Sequence, residues 1–498
     1  MTSAPPASAR TAENHNPYLE GFLAPVRAEL TATDLEVTGH IPEYLDGRYL
    51  RNGPNPVAEV DPATYHWFSG AGMVHGVALR DGKACWYRNR WVRSLSVCAA
   101  LGEPAPGRLD PRAGMLALGA NTNVLTHAGK TLALVEGGIA NYALTDELDT
   151  VGTCDFDGTL AGGYTAHPHR DPMTGELHAV SYSFGRGRTV QYSVIDTAGR
   201  ARRTVDIEVS GSPMMHDFSL TDKYVVIYDL PVTFDPAQVL PASVPRWLSL
   251  PARLVLQSLI GRVRVPGPVN AVMNRSPRHS DRMPYAWNPR YPARIGVMPR
   301  EGGNRDVRWF DVEPCYVYHP LNAYSEMRDG AEVLVLDVVR YARMFDRDRH
   351  GPGETAPTLE RWTVNLASGA VGTETRDGRP QEFPRINETR LGVRHRFGYT
   401  IGAYFADRSS ALYKHDYATG STTTAALDPD LLIGEVCFVP DPAADAEDDG
   451  ILMGYGYHRG RDEGQLLLLD AQTTEPVATV HLPQRVPMGF HGNWAPAR

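Results

Sequence analysis

The chain has no apolar run of about 18 residues, the length a helix needs to cross a bilayer, so no stretch of it reads as a membrane span. Residues 1–15 are rich in Ala, Ser, Pro and Thr and have no apolar core. They read as a disordered tail and not as a secretory signal. Cysteine is scarce: Cys85, Cys98, Cys154, Cys315 and Cys437 are an odd number without metal-site spacing. That argues against a disulfide framework and predicts reduced thiols in the cytoplasm. Basic blocks are missing as well, and the net charge of −9 argues against a nucleic-acid partner. No exact internal repeat is visible, so periodicity does not count structural units.

What the chain does have is punctuation. Its 47 glycines and 39 prolines separate many short β-branched or aromatic runs. Examples are 131–135, 223–228, 332–337 and 465–470, with turn signals at Asp81-Gly82, Asp329-Gly330 and Asp449-Gly450 between such runs. Short strands at this density predict an all-β fold, and at 498 residues a β-propeller is the economical architecture. The acidic stretch Asp441 to Asp449 reads as a solvated loop between two strands.

One stretch departs from the strand pattern. From Pro245 to Val265 the sequence is strongly apolar, with Arg246, Arg253, Arg262 and Arg264 around Leu254, Val255, Leu256, Leu259 and Ile260. Pro251 suits the first position of a helix and Gly261 its end. Two readings stand for 245–265: a cap helix packed on the propeller, or an interfacial segment making peripheral membrane contact.

Four histidines lie in separate short motifs. His167 stands in Tyr164-Thr165-Ala166-His167-Pro168-His169, His216 in Met214-Met215-His216-Asp217-Phe218, His319 in Tyr318-His319-Pro320-Leu321-Asn322-Ala323, and His491 in Gly489-Phe490-His491-Gly492. No helix or hairpin brings residues so far apart together; a large closed fold can. Neutral imidazole is the commonest metal ligand, and an all-histidine site leaves a divalent ion its full Lewis acidity. His169 would share a strand face with His167, so the residues alone do not choose between them.

These motifs, taken in order, resemble the carotenoid cleavage oxygenase family. The resemblance starts at Asn16-Pro17-Tyr18-Leu19-Glu20-Gly21-Phe22 and is dense in the stretch from Gly39 to Pro56. It continues through His66-Trp67-Phe68, Tyr87-Arg88-Asn89-Arg90, Glu382-Phe383-Pro384-Arg385-Ile386-Asn387 and Pro487-Met488-Gly489-Phe490-His491-Gly492. It implies a single seven-bladed β-propeller domain over 16–498 with a loop or helical cap above one axial Fe2+. His167, His216, His319 and His491 would be the ligands, and His169 and His75 would not. Glu136, Glu382 and Glu435 would hold the outer ring nitrogens of three of them, leaving His167 without a carboxylate partner. A Glu inside an apolar strand is costly unless paired, and Glu136 and Glu435 read that way; Glu382 rests on its motif.

The family activity is O2-dependent cleavage of a carbon–carbon double bond, giving two carbonyl products. Its stilbene-cleaving branch has a Lys before the first of these glutamates, where this chain has Val135, which cannot ionise a phenol. That favours a carotenoid or apocarotenoid over a stilbene or phenylpropene. A third reading is a propeller that binds or isomerises a polyene without cleaving it. Ser69 and Ala71 stand where the family commonly has aspartates, which implies altered turn chemistry there.

Overall fold

Asp-Gly pairs close hairpins in this chain. Asp81 and Gly82 take φ of 50° and 68°, and Asp329 and Gly330 take 50° and 78°. Two positive φ values in a two-residue turn give the twist that matches right-handed strands, and Asp-Gly tolerates both. The first pair joins Gly72–Arg80 to Lys83–Trp91 and the second joins Tyr316–Arg328 to Ala331–Tyr341. The structure, a computed structural model, describes residues 16–107, 109–183, 186–235, 284–347, 354–408, 410–443 and 445–497. The expected tail 1–15 and the apolar segment 245–265 lie outside the described residues.

Antiparallel sheets follow one another around an axis, and they make a seven-bladed β-propeller. The first blade begins with Asn123–His127, the second with His169–Arg170, the third with Phe218–Leu220, the fourth with Tyr316–Arg328 and the fifth with Gln381–Arg385. Each has four strands laid from the axis outward. The sixth blade begins with Leu431–Pro440 and gains the early strand Val37–Gly39 on its outer edge, against Pro476–Leu482. The seventh has the late strand Gly492–Pro496 innermost, paired with Gly47–Pro54. Both ends of the chain therefore close the ring, in neighbouring blades. Gly39 makes this possible: at φ 86° its Cα lies so close to the opposite strand that a Cβ would sit 2.3 Å from the Val477 carbonyl oxygen.

Apolar faces of successive blades pack on each other. Tyr49, Val77 and Leu79 of the seventh blade meet Met453, Leu466 and Val480 of the sixth, all almost fully buried. Tyr399 and Ile401 of the fifth meet Val436 and Leu452 of the sixth. The sheets alternate inward and outward residues, and two-sided burial explains the long apolar runs in their middle strands. A ribbon of Val232–Phe234 and Tyr285–Trp287 stands apart from the blades. Among the described residues the α-helices are Leu95–Leu101 and Tyr404–Asp407.

The acidic stretch does connect two strands, but it is not wholly solvated. Asp448 is buried and accepts from Lys414 Nζ at 2.6 Å, and the Glu447 carboxylate accepts from the backbone N–H groups of Arg396 and Phe397. A buried ammonium needs such a partner, and the loop supplies it.

Candidate metal centre

Every blade contributes one residue to a cluster on the axis. His167 stands two residues before the inner strand of the second blade, and His216 two residues before that of the third. His319 lies within the inner strand of the fourth, and His491 immediately precedes that of the seventh. Glu382 and Glu435 are on the inner strands of the fifth and sixth, and Glu136 follows Lys130–Leu134 of the first. Four histidines and three glutamates thus come from seven different blades. The strand does not extend to Glu136, contrary to the sequence reading: the glutamate sits at a turn where Gly137 and Gly138 take φ of 75° and 84°.

Bulges aim the residues that lie inside strands. The register shifts between Val317 and Pro320 around His319, between Glu382 and Arg385, and between Ile433 and Val436 around Glu435. An extra residue in one strand breaks the alternation of side chains and turns one toward the axis. Pro320, which has no N–H to give to a ladder, belongs at such a break.

Ligand atoms of His167, His216, His319 and His491 all lie within 4.8 Å of one another. Three of the rings are held from behind. His216 Nδ1 donates to Glu136 Oε1 at 2.9 Å, His319 Nδ1 to Glu382 Oε2 at 2.6 Å, and His491 Nδ1 to Glu435 Oε1 at 2.9 Å. Fixing Nδ1–H leaves Nε2 as the free lone pair, which sets both tautomer and ring angle for a metal. His216 and His319 accordingly face each other through Nε2, 3.2 Å apart. The Nε2 of His167 is buried with no hydrogen-bond partner, as a donor atom awaiting a cation would be.

The carboxylates are themselves held. Glu382 also accepts from Tyr341 Oη at 3.0 Å and from the Phe383 N–H. Glu435 accepts from the Gly492 N–H at 2.8 Å and faces Arg385 at 3.4 Å. Burial raises the Glu435 carboxyl, but His491 and Arg385 outweigh it and hold it down at about 2. Burial, and then the other three histidines, hold His167 well below the usual imidazole range, so its ring is neutral and able to offer a lone pair. Four imidazoles, three of them hydrogen-bonded from behind by carboxylates, are a donor set that fits a divalent transition metal.

His75 stands elsewhere, buried, with Nδ1 bonded to Tyr87 Oη at 3.0 Å. His169 bonds away from the cluster, to Asp217 Oδ1 at 2.8 Å. Asp217 is the residue that sequence reading missed. Its other oxygen lies 3.5 Å from His167 Nδ1, so His167 does have a carboxylate neighbour. The available signal was an acid inside the apolar run Met214-Met215-His216-Asp217-Phe218, the same argument used for Glu435.

A cavity of about 450 Å³ opens onto the cluster and reaches His216, His319 and His491. Its wall is largely apolar and includes Trp67, Phe68, Val135, Phe383, Phe405 and Phe490. Such a shape fits a long hydrophobic ligand laid against the metal centre.

A profile of the retinal pigment epithelial membrane protein family matches residues 23–496. The sequence is 76% identical over 497 residues to a carotenoid cleavage oxygenase of Mycobacterium tuberculosis, covering 98% of this chain and 99% of that one. The chain belongs to the carotenoid cleavage oxygenase family. Solved structures of the family share its fold. A lignostilbene dioxygenase of Pseudomonas brassicacearum matches with a TM-score of 0.76 at 26% identity, over 97% of this chain and 99% of that one. A cobalt-substituted apocarotenoid oxygenase of Synechocystis matches with a TM-score of 0.75 at 25% identity, over 95% and 97%. As a carotenoid cleavage oxygenase family member the chain is an enzyme of the dioxygenase type. No helix among its described residues is long and apolar enough to cross a membrane.

Proposed function

We propose that the chain is a non-haem Fe(II) dioxygenase that cleaves a carbon–carbon double bond of a carotenoid or apocarotenoid. The observation that carries this is the position of the four-histidine cluster at the end of an apolar, aromatic-walled cavity. His167, His216, His319 and His491 would hold the iron. Iron bound there would supply the Lewis acidity and redox chemistry needed to activate O2.

The protein's own part is placement. Glu136, Glu382 and Glu435 keep three imidazoles in one tautomer and aim their Nε2 atoms inward. Phe383, stacked on His319, and Phe490 present flat apolar surface on which a polyene would lie, with one double bond beside the metal. The walls exclude water from that bond. The overall reaction balances without an external reductant: the alkene carbons are oxidised to two carbonyls, and both oxygen atoms of O2 are consumed.

Val135, in the cavity wall ahead of Glu136, offers a phenol nothing to bond to, which supports a polyene over a hydroxystilbene. The arginine-flanked apolar sequence 245–265 supports docking to an anionic membrane surface, where such substrates reside. Sedimentation with anionic vesicles tests the docking.

The activity is tested by anaerobic Fe(II) reconstitution, then exposure to ¹⁸O2 with a carotenoid, an apocarotenal and a hydroxystilbene. Labelled aldehydes or ketones from a polyene are the expected result, and their masses locate the cut bond. Cleavage of the stilbene alone would overturn the substrate assignment. Iron bound with no product from any of them would mark a binding or isomerising protein.

A further inference from the structure

We propose that Asp217 is a fourth carboxylate of the metal centre, a positioning residue that holds His167 while anchored on its far side by His169. The proposal rests on the reading of the four-histidine cluster as a metal site. Asp217 is buried and uses its two oxygens differently. Oδ1 accepts from His169 Nε2 at 2.8 Å and from the Phe218 N–H at 2.7 Å, which fixes the carboxylate plane. Oδ2 faces His167 Nδ1 at 3.5 Å.

His216 and Asp217 are neighbours just ahead of the third blade's inner strand, Phe218–Leu220, and their side chains diverge. His216 bonds Glu136, while Asp217 turns to the second blade and meets both of its axial histidines. One dipeptide therefore supplies a ligand and the anion behind the neighbouring ligand. His169 is kept in place by the edge-to-face contact of its ring with Phe218, 4.8 Å between centroids. His167 thus has an acceptor behind Nδ1, as the other three histidines do.

The separation of 3.5 Å is longer than the 2.6–2.9 Å of the glutamate bonds, so the contact is the weakest of the four. Loss of Asp217 should therefore act at the small end of the range for groups behind a metal ligand, about tenfold in metal affinity.

The test is a Co(II) titration of the chelator-treated full chain, followed by ligand-field absorption. Asp217→Ala should weaken binding about tenfold. Asp217→Asn can keep the bonds from His169 and the Phe218 N–H through its amide oxygen but sets an NH2 group opposite His167 Nδ1, so it should weaken binding as well, with a metal-free melting midpoint equal to that of the parent. Binding within twofold of the parent in both variants overturns the proposal. Should Asp217→Ala fail to fold, His169→Ala carries the test. Weakening beyond twofold supports the anchor, and binding within twofold overturns it. His319→Ala separates the two levels of the argument. Parent-like Co(II) binding in that variant rejects the metal centre itself; loss there without loss in the Asp217 variants rejects only the role of Asp217.

Discussion

The ring of Phe383 stacks on the imidazole of His319, with 5.6 Å between centroids and 24° between planes. It reaches that position at φ 51°, in the left-handed region, directly before Pro384. A bulky side chain in this conformation stores roughly 1–3 kcal/mol of strain, and such strain gathers at functional sites. Phe383→Ala and Phe383→Gly both remove the ring, but only glycine relieves the backbone. The glycine variant should be the more stable of the two by about 1 kcal/mol in urea unfolding. Equal stability of the pair would mean that the backbone is unstrained.

Replacing Glu435 by Gln removes the anion behind His491 while keeping an acceptor and the shape. Metal affinity or turnover should fall roughly 10–100-fold. Iron affinity and rate both equal to the parent would remove Glu435 from the centre.

Gly72 lies so close to the next blade that a Cβ would stand 1.9 Å from the Ala120 carbonyl oxygen. Since that atom is backbone, Gly72→Ala must displace the segment at Ala120 and should cost about 1–3 kcal/mol. The displaced segment leads to Thr122, whose carbonyl accepts the His491 N–H at 3.0 Å, so metal retention should fall as well. An unchanged urea midpoint would contradict this.

Acid should destabilise the fold through its buried neutral histidines. Burial pushes His178 and His415 down to about 4, against about 6.5 in an unfolded chain. The unfolded state therefore binds more protons between these values. The stability is complete above about pH 6.5 and is lost as pH falls toward 4, by up to about 1.4 kcal/mol per pH unit for each histidine. His415→Gln, measured by urea unfolding of the metal-free protein at pH 7 and pH 5, should shallow the dependence by about one proton. An identical slope in the variant would show that His415 does not contribute.

Much of the centre was legible because it is written in short motifs: each histidine is flanked by residues that serve its own bulge or strand start, as Pro320 serves His319. Glu435 was legible as an acid in an apolar strand. Glu136 was found for a reason that does not hold, since it stands beyond the strand end where two left-handed glycines turn the chain. Asp217 was missed because its meaning depends on which blade neighbours which, and that order is a property of the closed ring. The burial of Asp448 was missed for the same reason: its partner Lys414 lies in another blade, and a run of acids by itself reads as solvated. The hairpins at Asp81-Gly82 and Asp329-Gly330 needed no such knowledge, because a two-residue turn is decided locally.

The late strand Gly492–Pro496 closes the seventh blade against a strand from near the other end of the chain. His491 leads into that strand, so its place in the cluster depends on closure. During synthesis the growing polypeptide carries three of the histidines for a long interval, because His491 follows His319 by 172 residues. Cation capture by the complete quartet therefore waits until the closing strand of the seventh blade has been made. A ring that fails to close would lack one imidazole and hold its ion poorly, which couples loading to the integrity of the whole molecule.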